Sequence, residues 1–168
     1  SYMPMTTGLI LTITGGSSSL KFAVFSPDDP PKRILAGQVA RIGQPGTQLV
    51  VKTDANGTSD ARPIEAATHR HAAQGLTKYL HERLGSDPIA GIGHRIVHGG
   101  IHLLETQVIT PELISELKRT QPLDLAHLPR EISLIEFFRE SFPGIPQVAC
   151  FDTTFHRDMP TVAKILPI

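Results

Sequence analysis

The chain has 168 residues, 40% of them hydrophobic and 19% charged, which suits one soluble globular domain and excludes a disordered or fibrous chain. Sixteen basic residues balance sixteen acidic ones, so no net field draws nucleic acid or an anionic membrane, and any anion site must be a local cluster. A single cysteine, Cys150, cannot form an internal disulfide and reads as a reduced, buried side chain of a cytoplasmic protein.

Residues 1–7 read as a tag remnant and N-terminal tail, with Met3 or Met5 the natural start. The apolar stretch 9–13 is too short to span a membrane, and no cation precedes it as a signal peptide would require; the first is Lys21. Its β-branched residues predict a buried strand, broken by Gly15-Gly16-Ser17-Ser18-Ser19. A second strand follows over 20–25, where alternation sets Lys21 opposite Leu20, Phe22 and Val24. The two strands form a hairpin.

Pro27, Pro30 and Pro31 end that strand, and 34–41 and 48–53 read as two more, separated by Gly43-Gln44-Pro45-Gly46. A polar loop is expected from Asp54 to Arg62. Pro63 then opens a helix whose apolar residues Ile64, Ala67, Ala72, Leu76, Tyr79, Leu80 and Leu84 recur at helical spacing, with Thr68 on the same face, until Gly85 stops it. Residues 89–97 read as a strand ending in Gly99-Gly100. Thr110-Pro111-Glu112 starts a short helix to about Arg119, closed off by Pro122. A last helix begins at Pro129, buries Ile132, Ile135, Phe138 and Phe142, ends near Gly144 and delivers a strand over 147–152. This order places one domain over 8–152, with 153–168 a tail leading to a second domain.

Three segments carry chemistry. The turn between the first two strands can present consecutive backbone N–H groups to an anion, with hydroxyls from Ser17 and Ser19 and charge from Lys21, although such turns also serve as plain punctuation. In Gly93-His94-Arg95-Ile96-Val97-His98-Gly99-Gly100, Arg95 and Val97 share one strand face, suiting the carboxylate and alkyl tail of a short acid; an ion pair with core packing is the other reading. In Phe151-Asp152-Thr153, an apolar strand delivers an acid at its carboxyl end, placed to hold Mg²⁺ or to cap a turn. The histidines His94, His98 and His102 do not form a zinc site on a strand, since four residues span roughly 13 Å while ligands sit within roughly 2 Å of the metal.

Together these segments resemble the acetate kinase family. Gly16 to Phe22 is similar to its Gly-Ser-Ser-Ser-Leu-Lys-Phe hairpin, and the 94–100 segment to its His-Arg-Val-Val-His-Gly-Gly. Leu125-Ala126-His127-Leu128-Pro129 resembles its histidine segment. The resemblance implies an α/β, ribonuclease H-like domain of the superfamily that joins acetate and sugar kinases, actin and heat-shock ATPases, with a mixed sheet flanked by helices. It implies ATP-dependent phosphorylation of a short-chain carboxylate, acetate first, with propionate or butyrate kinase or a non-catalytic binding homologue as alternatives.

Residue by residue, the resemblance assigns phosphate binding to Ser17, Ser19 and Lys21, and the acid clamp to Arg95 beside Val97. It sets His127 near the transferring phosphoryl group and makes Asp152 the active-site acid and metal ligand. Thr14 stands where the family has a metal-binding Asn, Leu128 where it has another Asn, and Arg130-Glu131 where it has smaller residues. Mg²⁺ and ATP are the implied cofactor and co-substrate, a homodimer the implied assembly of the full-length enzyme. The family's second domain carries most of the adenosine site, so this chain alone is expected to be inactive.

Overall fold

The computed structural model describes residues 8–53, 57, 59–85, 88–96, 106–120 and 127–150. These form a mixed eight-stranded sheet with three helices. The first two strands, β1 (Leu9–Gly15) and β2 (Ser19–Ser26), make the expected antiparallel hairpin. β3 (Lys32–Ala40) and β4 (Gln48–Thr53) continue it antiparallel, as their sequences predict.

The next segment corrects the sequence reading twice. Residues expected in the polar loop form β5 (Ser59–Pro63), paired antiparallel with β4 at the sheet edge. All five residues are exposed, so the strand exists through backbone pairing and carries no apolar alternation to announce it. Pro63 therefore ends a strand instead of opening a helix. Helix α1 spans His69–Leu84, and Thr68 is its N-cap, its hydroxyl accepting from the His71 N–H at 3.1 Å. Gly85, with φ of +60°, stops it as expected.

β6 (Ile89–Arg95) lies parallel to β1, which requires the crossover that α1 provides. β7 (Gln107–Val108), a two-residue strand absent from the sequence reading, precedes α2 (Pro111–Thr120), whose Leu113 N–H is capped by the Thr110 hydroxyl at 3.1 Å. Helix α3 (Leu128–Ser141) leads to β8 (Gln147–Cys150), parallel to β6. The strand order is β5-β4-β3-β2-β1-β6-β8-β7.

The main core lies on one face of the sheet. Leu9, Leu11 and Ile13 of β1, with Leu20, Phe22 and Val24 of β2, meet Leu76 and Leu80 of α1 and Leu134 and Phe138 of α3. Phe138 is fully buried, edge-on to Phe137 at 5.1 Å between centroids, and burial of such a ring stabilises by roughly 1.5–3 kcal/mol. The other face carries Ile10, Ala23, Phe25, Val148 and Cys150, all buried, so Cys150 packs as the sequence predicts. A third cluster joins α2 to α3 and to Ile96 and Ala149. Among the described residues, no helix is long and apolar enough to cross a membrane.

Candidate functional site

Because β1, β6 and β8 run parallel, their carboxyl ends meet at one edge of the sheet, where ligands of such sheets bind. Register then decides what stands there. Thr14 on β1 is paired with Lys21 on β2 and with Arg95 on β6. Paired residues of neighbouring strands point to one face, so a hydroxyl is set between two cations drawn from segments far apart in sequence.

A cleft of about 350 Å³ opens beside them, lined by Thr14, the glycines of the turn, Ser17, Ser19, Lys21, Arg95, His127 and Arg130. Every described residue assigned from sequence thus lines one cleft. Val97 and Asp152 lie outside the described residues; Asp152 is two positions beyond Cys150, the partner of Arg95 in β8. A second hollow of about 250 Å³ shares Thr14, Lys21 and Arg95. The larger depression of about 500 Å³ between residues 43–47 and 63–67 carries one ionisable side chain, Glu65, and no cation, so an anion has no reason to settle there.

The turn is built for close approach. A Cβ on Gly16 would stand 2.5 Å from the Ser19 hydroxyl, and one on Gly15 would stand 3.1 Å from Leu134 Cδ1 and 3.4 Å from Arg130 Nε. Gly15 therefore lets α3 pack tightly against the end of β1, which brings Arg130 to the cleft. The turn is tied by Gly16 N–H donating to the Ser19 carbonyl at 2.8 Å and by Ile42 N–H donating to the Ser18 carbonyl at 2.9 Å. His127 precedes α3, and its ring makes no capping hydrogen bond; the ring lines the cleft instead.

Two residues of this region escaped the sequence reading. Arg130 stood out only as a departure from the family pattern, yet it adds a third cation to a cleft with no described acidic lining. His69, the first residue of α1, places Nε2 2.7 Å from the Gly16 carbonyl oxygen. Its partner is a backbone atom 53 positions away, and no local pattern signals that. Burial lowers the pKa of His69 first, nearby Arg130 lowers it further, and the Gly16 and Ser19 carbonyls oppose both.

Among the described residues no cluster of three or more His, Cys, Asp or Glu side chains is placed to hold a metal ion. The cleft offers hydroxyls among cations, a donor set matched to phosphate or carboxylate and not, by itself, to Mg²⁺.

The sequence profile of the acetokinase family matches residues 9–168. The chain belongs to the acetokinase family. It is 37% identical over 154 residues to the acetate kinase of Deinococcus radiodurans, covering 91% of this chain and 38% of that protein. With the acetate kinase of Dichelobacter nodosus the identity is 38% over 162 residues, covering 95% and 40%. Among solved structures, Porphyromonas gingivalis acetate kinase superposes with a TM-score of 0.76 at 28% identity, covering 88% of this chain and 38% of that one. A propionate kinase from Francisella tularensis gives 0.75 at 31%, covering 92% and 39%. The mixed sheet flanked by helices is thus the fold expected of this family. The chain spans about two fifths of the length of the relatives it matches.

Proposed function

We propose that the protein containing this chain transfers the γ-phosphoryl group of ATP to a short-chain carboxylate, acetate in the first place, forming acetyl phosphate reversibly. The observation that carries the proposal is the single cleft that gathers Ser17, Ser19, Lys21, Arg95 and His127.

The acid is already ionised at neutral pH, so the reaction needs alignment and charge neutralisation more than a base. A carboxylate oxygen attacks the γ-phosphorus; the new O–P bond forms as the bond to the β–γ bridging oxygen breaks, and ADP leaves with that electron pair. Arg95 clamps the acid, with Val97 against its alkyl tail. The turn, Ser17, Ser19 and Lys21 hold phosphate, and His127 faces the phosphoryl group in transit. Mg²⁺ is assigned to the nucleotide as its counter-ion, with Asp152 and the Thr14 hydroxyl as its proposed protein donors. The remaining adenosine contacts are assigned to sequence beyond this chain, in a full-length, cytoplasmic homodimer.

A second acid is supported by one finding, the propionate kinase that superposes as well as the acetate kinase does. Hydroxylamine trapping of acyl phosphate by the full-length protein, with acetate, propionate and butyrate in turn, tests both readings. ATP-dependent hydroxamate with acetate as best substrate is expected, and none from the 168-residue chain alone. ATP binding without hydroxamate from any acid would make the protein a binding homologue.

A further inference from the structure

His69 lies outside the cleft, yet its ring reaches the turn that forms the cleft wall. The Nε2 nitrogen is 2.7 Å from the Gly16 carbonyl oxygen; a carbonyl only accepts, so Nε2 carries the hydrogen and donates it. The helix that carries the imidazole is anchored at this end. His69 opens α1, which Thr68 caps, and Ala72 and Ala73 one turn later are fully buried.

In a trans peptide the C=O and the following N–H point in opposite directions. Aiming the Gly16 carbonyl at His69 therefore turns the Ser17 N–H away from α1. Gly16 and Ser17 line the cleft and His69 does not, so this donor faces away from the only described side chain bound to the Gly16 carbonyl. On its other flank the turn is held by the Ile42 N–H through the Ser18 carbonyl.

We propose that His69 is a positioning residue for the phosphate-binding turn, fixing the Gly16–Ser17 peptide so that its N–H is presented to the anion. The inference rests on the phosphate-binding role proposed for this turn. It is not a pH device: protonation adds a hydrogen at Nδ1 and leaves the Nε2 donor in place, so the bond to Gly16 persists in both charge states.

The test uses His69→Ala and His69→Gln in the full-length protein, because a Gln amide keeps a donor of similar reach. His69→Ala is expected to raise the KM for Mg·ATP about ten-fold, a change of about 1.4 kcal/mol in apparent binding, while the KM for the acid stays within about two-fold. His69→Gln is expected to restore most of the loss. Independently of turnover, amide exchange at Gly16, whose N–H is held by Ser19, is expected to quicken in His69→Ala and not in His69→Gln. Unchanged exchange in His69→Ala, or equal loss toward both substrates in the two variants with a lowered Tm, would overturn the proposal and leave His69 a packing residue of α1. If the parent protein forms no acyl phosphate, the kinase reading falls by itself and the exchange data still decide the role of His69.

Discussion

His94 on β6 is hydrogen-bonded through its ring Nε2 to the side-chain carbonyl of Gln147, the first residue of β8. The amide nitrogen of Gln147 donates in turn to the Ile135 carbonyl at 3.1 Å. That fixes which end of the amide faces the ring, so the neutral imidazole must carry its hydrogen on Nε2. The pair links the strand of Arg95 to α3 and β8, and Phe138 packs edge-on against the ring at 5.8 Å.

Burial drives the pKa of His94 down to about 4 from 6.5, with the Gln147 hydrogen bond opposing weakly. Between those values the unfolded chain binds more protons than the folded one. Stability from the neutral ring is therefore complete above pH 6.5 and is lost as pH falls toward 4, on the order of 3 kcal/mol in total. Urea unfolding of the parent and of His94→Leu from pH 7 to 4 should show a stability difference that shrinks as pH falls. At pH 7 the variant should be weaker, since Gln147 loses a buried donor, by about 1–3 kcal/mol. A difference independent of pH would mean the ring is not buried neutral.

Arg95 supplies a planar fork where Lys would supply a point charge. Arg95→Lys in the full-length protein is expected to lower kcat/KM for the acid by on the order of 100-fold, with Tm little changed because the side chain is only half-buried. Parental kcat and KM for the acid would make Arg95 structural.

Two glycines separate a local effect from a global one. A Cβ at Gly37 would lie 2.1 Å from the Val50 carbonyl oxygen, inside the β3–β4 ladder. Gly37→Ala should cost about 3 kcal/mol or more, because backbone must move. At Gly16 the clash is with the Ser19 hydroxyl, which rotates away cheaply. Gly16→Ala should change the urea midpoint little and weaken Mg·ATP, since it displaces a hydroxyl proposed to bind phosphate. Equal destabilisation by both variants would refute the distinction.

Thr14 sits between Lys21 and Arg95 in register, so a cation is held beside it only when the nucleotide's phosphates offset the two neighbouring positive charges. An Asn amide reaches one bond further, and its carbonyl is a better hard-cation ligand. Thr14→Asn in the full-length protein should lower the Mg²⁺ concentration for half-maximal rate and leave the acid titration largely in place. A shift confined to the acid would remove Thr14 from the metal's surroundings.

Much of this architecture is local and therefore legible from the chain. Apolar alternation in β1 and β2 marks a hairpin, Gly85 and Gly144 mark helix ends at φ of +60° and +80°, and the spacing of Ile132, Ile135 and Phe138 marks the buried face of α3. β5 carries no such pattern, because Ser-Asp-Ala-Arg-Pro buries nothing. Pro63 suits both a strand end and a helix start, so sequence alone does not fix where α1 begins. The residue types at the turn, on β6 and before α3, and their resemblance to one family, are written in the chain. That Thr14, Lys21 and Arg95 are neighbours, and that Arg130 and His69 join the same region, emerges from the folded chain. The reason is physical: strand register and helix packing are settled by the whole core at once, whereas a motif records only its own few residues.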